Sequence, residues 1–429
     1  MNRWAKIAVV GFSLIVVGYV SLGFVLGQTT DNRAYRSLTV FSEVLQRIQS
    51  DWVEEPDMQL VSSGAMHGLL ESLDPYSAYL SPREYAEYKR KLAENAKGRV
   101  GITVSKRFGY VIVLNVVPDS PAYKSGLRTG DILESIGGFT TREMSIGQAN
   151  LLLAGEPGTG VRVAVVRRSR GDQLEMDLVR RELGAPKLIA EKLEGDVAYL
   201  GVPSLDAGIS KEIRRKLAEW DRAGVRKLVL DLRDCAGGEV AEGIETAQLF
   251  LSGGSIATLR GQTVAKQDFI ADPSKVAWKH ALTVLASSAT AGAAELTVAG
   301  IAANRRGEVV GERTFGSASE QKLITLDNGA AIFLTVANYY SPLGSSIPEE
   351  GVSPTVEVTA SRDELFDAGD TAPKPNAYRE DPVLKRALEI LTPKVAGQSS
   401  TDSKSVKPST RDAKRVARCS PARPVGVAA

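Results

Sequence analysis

Apolar runs alternate with an amphipathic segment through the second half of the chain, and this alternation narrows the fold more than any other feature. Val197–Val202, Lys227–Leu232 and Ala281–Ala286 read as strands, and Ile209–Ala223 between the first two reads as a helix. Strands joined through helices build an α/β core. In such sheets functional groups gather beyond the carboxyl ends of the strands. The chain has 429 residues, enough for two or three domains. Upstream, Leu38, Phe41, Val44, Leu45 and Ile48 recur at helical spacing, so residues 29–95 are expected to be a helical N-terminal region.

The two ends differ from this globular pattern. Arg3 and Lys6 precede an uncharged apolar run from Ile7 to Gly27, long enough to span a bilayer. The basic flank favours keeping the N-terminus in the cytoplasm. Residues 1–28 are therefore expected to be an uncleaved signal anchor, with the bulk of the chain exported. Cleavage at Val25-Leu26-Gly27 would instead release a secreted protein. Asp381 and Pro382 suit a helix start within residues 369–394. Residues 400–429 carry seven basic groups against two acidic ones, so 395–429 reads as a disordered basic tail with some attraction for anionic lipid. The net charge of +2 gives no argument for a nucleic-acid partner. Two cysteines, Cys235 and Cys419, are too few for a disulfide framework. No Cys/His cluster has metal-ligand spacing, and no metal or cofactor is expected.

Residues 96–183 carry a second set of signals. Val100-Gly101-Ile102-Thr103 is followed by Ser120-Pro121-Ala122-Tyr123-Lys124-Ser125-Gly126-Leu127, then by Gly130-Asp131-Ile132. Ser145–Leu153 reads as a helix, and Gly155–Gly160 as a turn before a last strand pair. This order resembles a PDZ domain. The resemblance implies that backbone N–H groups of Val100, Gly101, Ile102 and Thr103 hold an anion. A bound peptide would add beside the sheet edge, with Ile146 and Asn150 of the flanking helix turned toward it.

Two further segments carry the chemistry. Leu285-Ala286-Ser287-Ser288-Ala289-Thr290-Ala291-Gly292-Ala293-Ala294-Glu295 is one, and Gly311-Glu312-Arg313-Thr314-Phe315-Gly316-Ser317-Ala318-Ser319-Glu320-Gln321 is the other. With Gly64–Ser77, Tyr79–Tyr85, Asp231–Gly238, Asn338–Pro342 and Gly351–Pro354, they resemble the carboxyl-terminal processing, or tail-specific, serine proteases. The resemblance implies an α/β (α+β) multidomain protein with a helical N-terminal region, a PDZ domain of β-sandwich type and a crotonase-like α/β peptidase core over 184–368. It also implies cleavage near protein C-termini, without a cofactor, by a serine three places before the Glu and a lysine after Phe-Gly. Glu295 fixes the first register, and Phe315-Gly316 with Gln321 fixes the second. The nucleophile position then falls on Gly292 and the lysine position on Ser317, at the family's own separation of 25. Gln321 is retained. By the same resemblance, an N–H of Gly237 or Gly238 would complete an oxyanion site with the N–H of Ala293.

A serine–lysine dyad needs a hydroxyl to attack and a neutral amine to take its proton. Glycine offers no nucleophile, and a serine hydroxyl is far too weak a base. Ser287, Ser288, Thr290 and Cys235 are the candidate stand-ins, but each needs a base within reach. Of the two histidines, His67 lies in the N-terminal helical region and His280 precedes a strand, at the wrong end for catalysis. The expected function is thus that of an exported, membrane-anchored pseudoprotease that binds protein or peptide C-termini. Its further candidate partners are an active homologous protease, the inner membrane and a second copy of the chain. The alternative is an active endopeptidase with a rearranged site.

Overall fold

The alternating runs of residues 197–286 form the centre of the molecule in the computed structural model, which describes residues 4, 11–12, 16–18, 32–107, 109–142, 144–167, 173–348, 350–359 and 381–392. The expected anchor falls mostly, and the expected basic tail wholly, outside the described residues. Among those described, no helix is long and apolar enough to cross a membrane.

The N-terminal region contains α1 (Asn32–Asp51), α2 (Met58–Glu71), β1 (Ala78–Leu80) and α3 (Pro82–Glu94). Asp57 starts α2 by accepting the N–H groups of Gln59 and Leu60 at 2.9 and 3.1 Å. Ser81 and Glu84 form a capping box before α3, with Pro82 in its first turn, and Asn95 ends it in the left-handed conformation. Strand β1 departs from the helical reading of this region. Three residues are too few to show a period, and all three are buried, so nothing in their pattern separates strand from helix.

The next unit runs through β2 (Gly98–Arg99), β3 (Ile102–Arg107), β4 (Tyr110–Val116), α4 (Pro121–Lys124), β5 (Ile132–Ile136), β6 (Phe139–Thr140), α5 (Ile146–Leu153), β7 (Gly160–Val166), β8 (Gln173–Val179) and β9 (Arg181–Glu182). Its antiparallel sheet has the order β3-β4-β5-β7-β8, with β6 on β5 and a separate β2-β9 pair. Val111, Val113, Leu133, Val163 and Leu178 fill its core, and α5 adds Ala149 and Leu153. Asp131 shapes its turn: it accepts the Arg128 N–H at 2.9 Å and pairs with Arg167 at 2.7 Å while almost fully buried.

The third unit contains β10 (Ile189–Leu193), β11 (Val197–Gly201), α6 (Ile209–Arg222), β12 (Lys227–Asp231), α7 (Val240–Gln248), β13 (Ser255–Arg260), β14 (Gln267–Ile270), β15 (Ala281–Ala286), α8 (Ala293–Ala303), β16 (Glu308–Gly311), β17 (Ser319–Thr325), β18 (Ala331–Tyr340), β19 (Val356–Glu357) and α9 (Pro382–Leu391). One sheet has the order β10-β11-β12-β15-β16-β19, parallel from β11 onward. Helix α6 buries Ile209, Ile213, Leu217 and Trp220 against it. A second sheet has β17 along one edge of β18. On the other edge, β1 faces residues 331–333 and β13 faces residues 338–340. Helix α8 lies between the two sheets, sending Val298 and Ile301 to one and Leu296 and Ala299 to the other. That position leaves residues 293–301 of α8 buried on every side.

Helix α9 packs Val383, Leu384 and Ala387 over β12, β15 and β16. Asp381 caps it and also accepts from Arg233 at 2.6 Å. Arg233 in turn chelates Asp231. Burial disfavours the charge on Asp231, but Arg233 overcomes it and leaves the carboxyl below the usual range.

Candidate active-site region

The parallel strands β12 and β15 deliver two loops to the same end of the sheet, residues 232–239 and 287–292. The Ala291 N–H donates to the Cys235 carbonyl at 3.0 Å and ties them together. Gly292 closes the second loop with φ +59° and ψ −117°, a region that only glycine enters without strain, and α8 begins at the next residue. A Cβ built on Gly292 would have one neighbour within 4 Å, the Ser317 Oγ at 3.8 Å. The two dyad positions therefore face each other.

Glu295 holds this arrangement from beneath. It is fully buried, and its carboxylate accepts the N–H groups of Gly292, Gly316 and Ser317 at 2.9, 2.6 and 2.8 Å. The Thr314 hydroxyl donates to it at 2.5 Å. Burial pushes the carboxyl above the usual range, and these donors offset only part of that. Since all four neighbours donate, the ionised form is the one the geometry accommodates.

The expected oxyanion groups lie close by. Gly238 has φ +114°, and a Cβ there would overlap the Leu205 backbone at 2.2 Å, so the turn requires glycine. The Gly237 carbonyl accepts from Leu205 and the Leu205 carbonyl accepts from Glu239, at 3.0 and 2.9 Å. Ala293 is the first residue of α8, where an N–H has no partner within the helix. Gln321 lies on β17, and its amide donates to Ser319 Oγ at 2.8 Å rather than into the Gly292–Ser317 gap.

Three of the four stand-in nucleophiles, Thr290, Ser287 and Cys235, are committed elsewhere. The Thr290 hydroxyl is fully buried and donates to the Leu232 carbonyl at 2.8 Å. The Ser287 hydroxyl donates to the Arg233 carbonyl at 2.6 Å. Cys235 is buried, and burial pushes its thiol far above the range in which a thiolate forms. His280 sits at the amino end of β15, 2.8 Å from Asp221 and edge-on to Trp278. His67 stacks edge-on with Tyr79.

The β3–β4 hairpin of the second unit roofs the region. Leu114 packs with Ala291 and Phe315, and the Asn115 side chain donates to the Asp234 carbonyl at 2.6 Å. Thr103 Oγ1 lies 3.9 Å from a Cβ built on Gly237. The Arg107 guanidinium stands over the Phe315 ring at 5.4 Å. From the N-terminal turn, the Tyr76 hydroxyl donates to the Gly316 carbonyl at 3.4 Å and interacts with Ser105 and Ser317. In the sequence, Gly64–Ser77 served only to carry the resemblance, and Tyr76 was not anticipated as a wall of the site. Its place inside a family motif was the available signal.

In the expected carboxylate loop, Gly101 has φ +88° and packs so tightly on Ser120 that a Cβ would approach within 2.2 Å. Its carbonyl accepts the Val117 N–H at 2.8 Å, and the buried Val100 carbonyl accepts the Ala122 N–H at 3.0 Å. Ile102 and Thr103 open β3, and α5 lies beside that strand with Ile146 half-buried and Asn150 exposed on one face.

Comparison with known proteins bears on both units. Residues 196–358 match peptidase family S41, and residues 112–167 match a PDZ domain. A carboxy-terminal-processing protease of Bartonella bacilliformis is 30% identical over 344 residues, covering 77% of each chain. A carboxyl-terminal-processing protease of Picosynechococcus is 32% identical over 300 residues, covering 68% of this chain and 70% of that one. Among solved structures, a photosystem II D1 C-terminal processing protease superposes with a TM-score of 0.61 at 24% identity, over 75% of this chain and 92% of that one. The last likeness concerns the fold alone.

Proposed function

Because the chain belongs to the carboxy-terminal processing proteases of peptidase family S41, we propose that it is a non-cleaving member, which binds protein C-termini through its PDZ domain and leaves them intact. The observation that carries this reading is the Gly292–Ser317 pair. A Cβ built on Gly292 would stand 3.8 Å from the Ser317 Oγ, so the two positions face each other, yet Gly292 carries no nucleophile and Ser317 no amine. The nearby hydroxyls of Ser287 and Thr290 are spent on backbone carbonyls, and the Cys235 thiol is held neutral. Tyr76 offers no base either, since burial raises its phenol. The surrounding scaffold persists, so the protein keeps a means of positioning a peptide without a means of cutting it.

Peptides with a free, apolar C-terminus are expected to bind in the micromolar range, about −8 kcal/mol. The same peptides amidated at the C-terminus should bind at least tenfold more weakly, roughly the loss of one charge-assisted hydrogen bond. Calorimetry with both forms, followed by mass spectrometry of the recovered peptides, checks binding and the absence of cleavage together. Equal affinity for both forms would rule out carboxylate capture.

The reading also places the protein on the outer side of a membrane, held by residues 1–28. Arg3, Lys6 and the apolar run Ile7–Gly27 support this. A reporter that works only in the exported compartment, fused after residue 60, is expected to be active. Activity of a cytoplasm-dependent reporter at the same position would refute the placement.

A further inference from the structure

None of residues 37–76 is buried, although many of their side chains are large and apolar. The mismatch is sharpest on α1. Leu38, Phe41, Val44, Leu45 and Ile48 share one face of this helix. Trp52 extends that face, since its N–H still bonds to the Ile48 carbonyl at 3.3 Å. Phe41, Leu45 and Ile48 are half-buried, whereas Leu38, Val44 and Trp52 are 61, 51 and 62% exposed. The opposite face carries Thr39, Glu43, Gln46 and Ser50, all exposed. An apolar face left this open is a contact surface.

Two observations select a lipid surface as its partner. The first is position. The apolar run Ile7–Gly27 ends four residues before α1 begins at Asn32. Those residues span at most about 18 Å, and the headgroup layer is about 5–8 Å thick. A run seated in the bilayer thus holds the start of α1 within roughly 10 Å of the headgroups. The second is the width of the face. At 3.6 residues per turn, Leu38 to Val44 covers an arc of about 120°, and exposed Val40 widens it further. A pair of coiled helices needs only the narrower seam, whereas a helix lying in an interface uses the broad one. No charged residue between 37 and 52 falls within the arc. Beyond Trp52 the chain reads Glu54-Glu55-Pro56-Asp57, which an anionic surface repels. Contact therefore ends at Trp52, a residue type favoured at the interface.

We propose that α1 lies along the outer surface of the membrane in which residues 1–28 are anchored, with its apolar face at the boundary between headgroups and acyl chains. Such a helix sets the orientation of the globular units above the bilayer, in place of a free tether. The inference rests on the preceding reading for the anchor alone.

The test reconstitutes the full chain into vesicles of phosphatidylcholine with one quarter phosphatidylglycerol. A single cysteine is introduced as Val44→Cys, Leu38→Cys or Gln46→Cys in a Cys419→Ser background and labelled with the polarity-sensitive dye NBD; Cys235 is buried and stays. Dye at 44 and at 38 is expected to emit further to the blue than dye at 46, and to be quenched by lipid carrying a nitroxide near the headgroup. Dye at 46 should not be quenched. Vesicles that float with the protein while all three positions stay polar and unquenched overturn the inference and leave the anchor standing. A blue shift at 44 and 38 without quenching by the lipid nitroxide means that protein, such as a second copy of the chain, covers the face, and also overturns it. Protein that does not float with the vesicles sinks the anchor and this inference together.

Discussion

Purified protein is expected to leave unfolded substrates with apolar C-termini uncut, at rates no higher than buffer. Nucleophile and base act as one unit in serine hydrolases, and losing the unit costs roughly a millionfold in kcat. Gly292→Ser alone should not recover activity, because Ser317 cannot accept a proton. It also forces a side chain into φ +59°, ψ −117°, at a cost of about 1–3 kcal/mol. Gly292→Ser with Ser317→Lys supplies both groups across a gap of suitable size and is expected to restore slow cleavage, measured by peptide fragments appearing over hours. Robust turnover by the wild type, abolished by Thr290→Ala, Ser288→Ala or Cys235→Ala, would overturn the pseudoprotease reading.

Glu295→Ala is expected to be the most damaging single change near the site. It leaves one buried and two half-buried N–H groups, and the buried Thr314 hydroxyl, without their acceptor. Each unsatisfied group costs about 1–3 kcal/mol, so a loss of at least about 3 kcal/mol is expected after relaxation. Glu295→Gln keeps one carbonyl acceptor but turns an NH2 toward donors, so it should fall between alanine and wild type. Chemical denaturation reads the order. A glutamine variant as stable as wild type would show that the carboxylate is dispensable to the loops it joins.

The parts of this architecture that follow from local pattern were legible in the sequence. The strands Val197–Gly201, Lys227–Asp231 and Ala281–Ala286 were visible as apolar runs, and the amphipathic spacing of Ile209, Ile213 and Leu217 marked α6. Motif register, set by Glu295 in one segment and by Phe315-Gly316 with Gln321 in the other, put Gly292 and Ser317 at the dyad positions, and in the structure Glu295 hydrogen-bonds to both segments. What escaped detection joins residues far apart in the chain. Asn115 reaches the carbonyl of Asp234, and Tyr76 reaches that of Gly316, but neither residue type nor spacing announces such a contact.

The pairing of Ala78 with Phe333 also governs when this molecule can finish folding. The N-terminal turn has its strand partner only after β18 has been synthesised, at ~5–20 residues per second a delay of roughly 10–50 s. Closing so long a loop is entropically expensive before any contact rewards it. Nascent chains shorter than residue 340 therefore cannot complete the second sheet, and N-terminal fragments should remain protease-sensitive. The contact that closes the second sheet joins residues about 250 positions apart, so this part of the molecule is finished only once most of the chain exists.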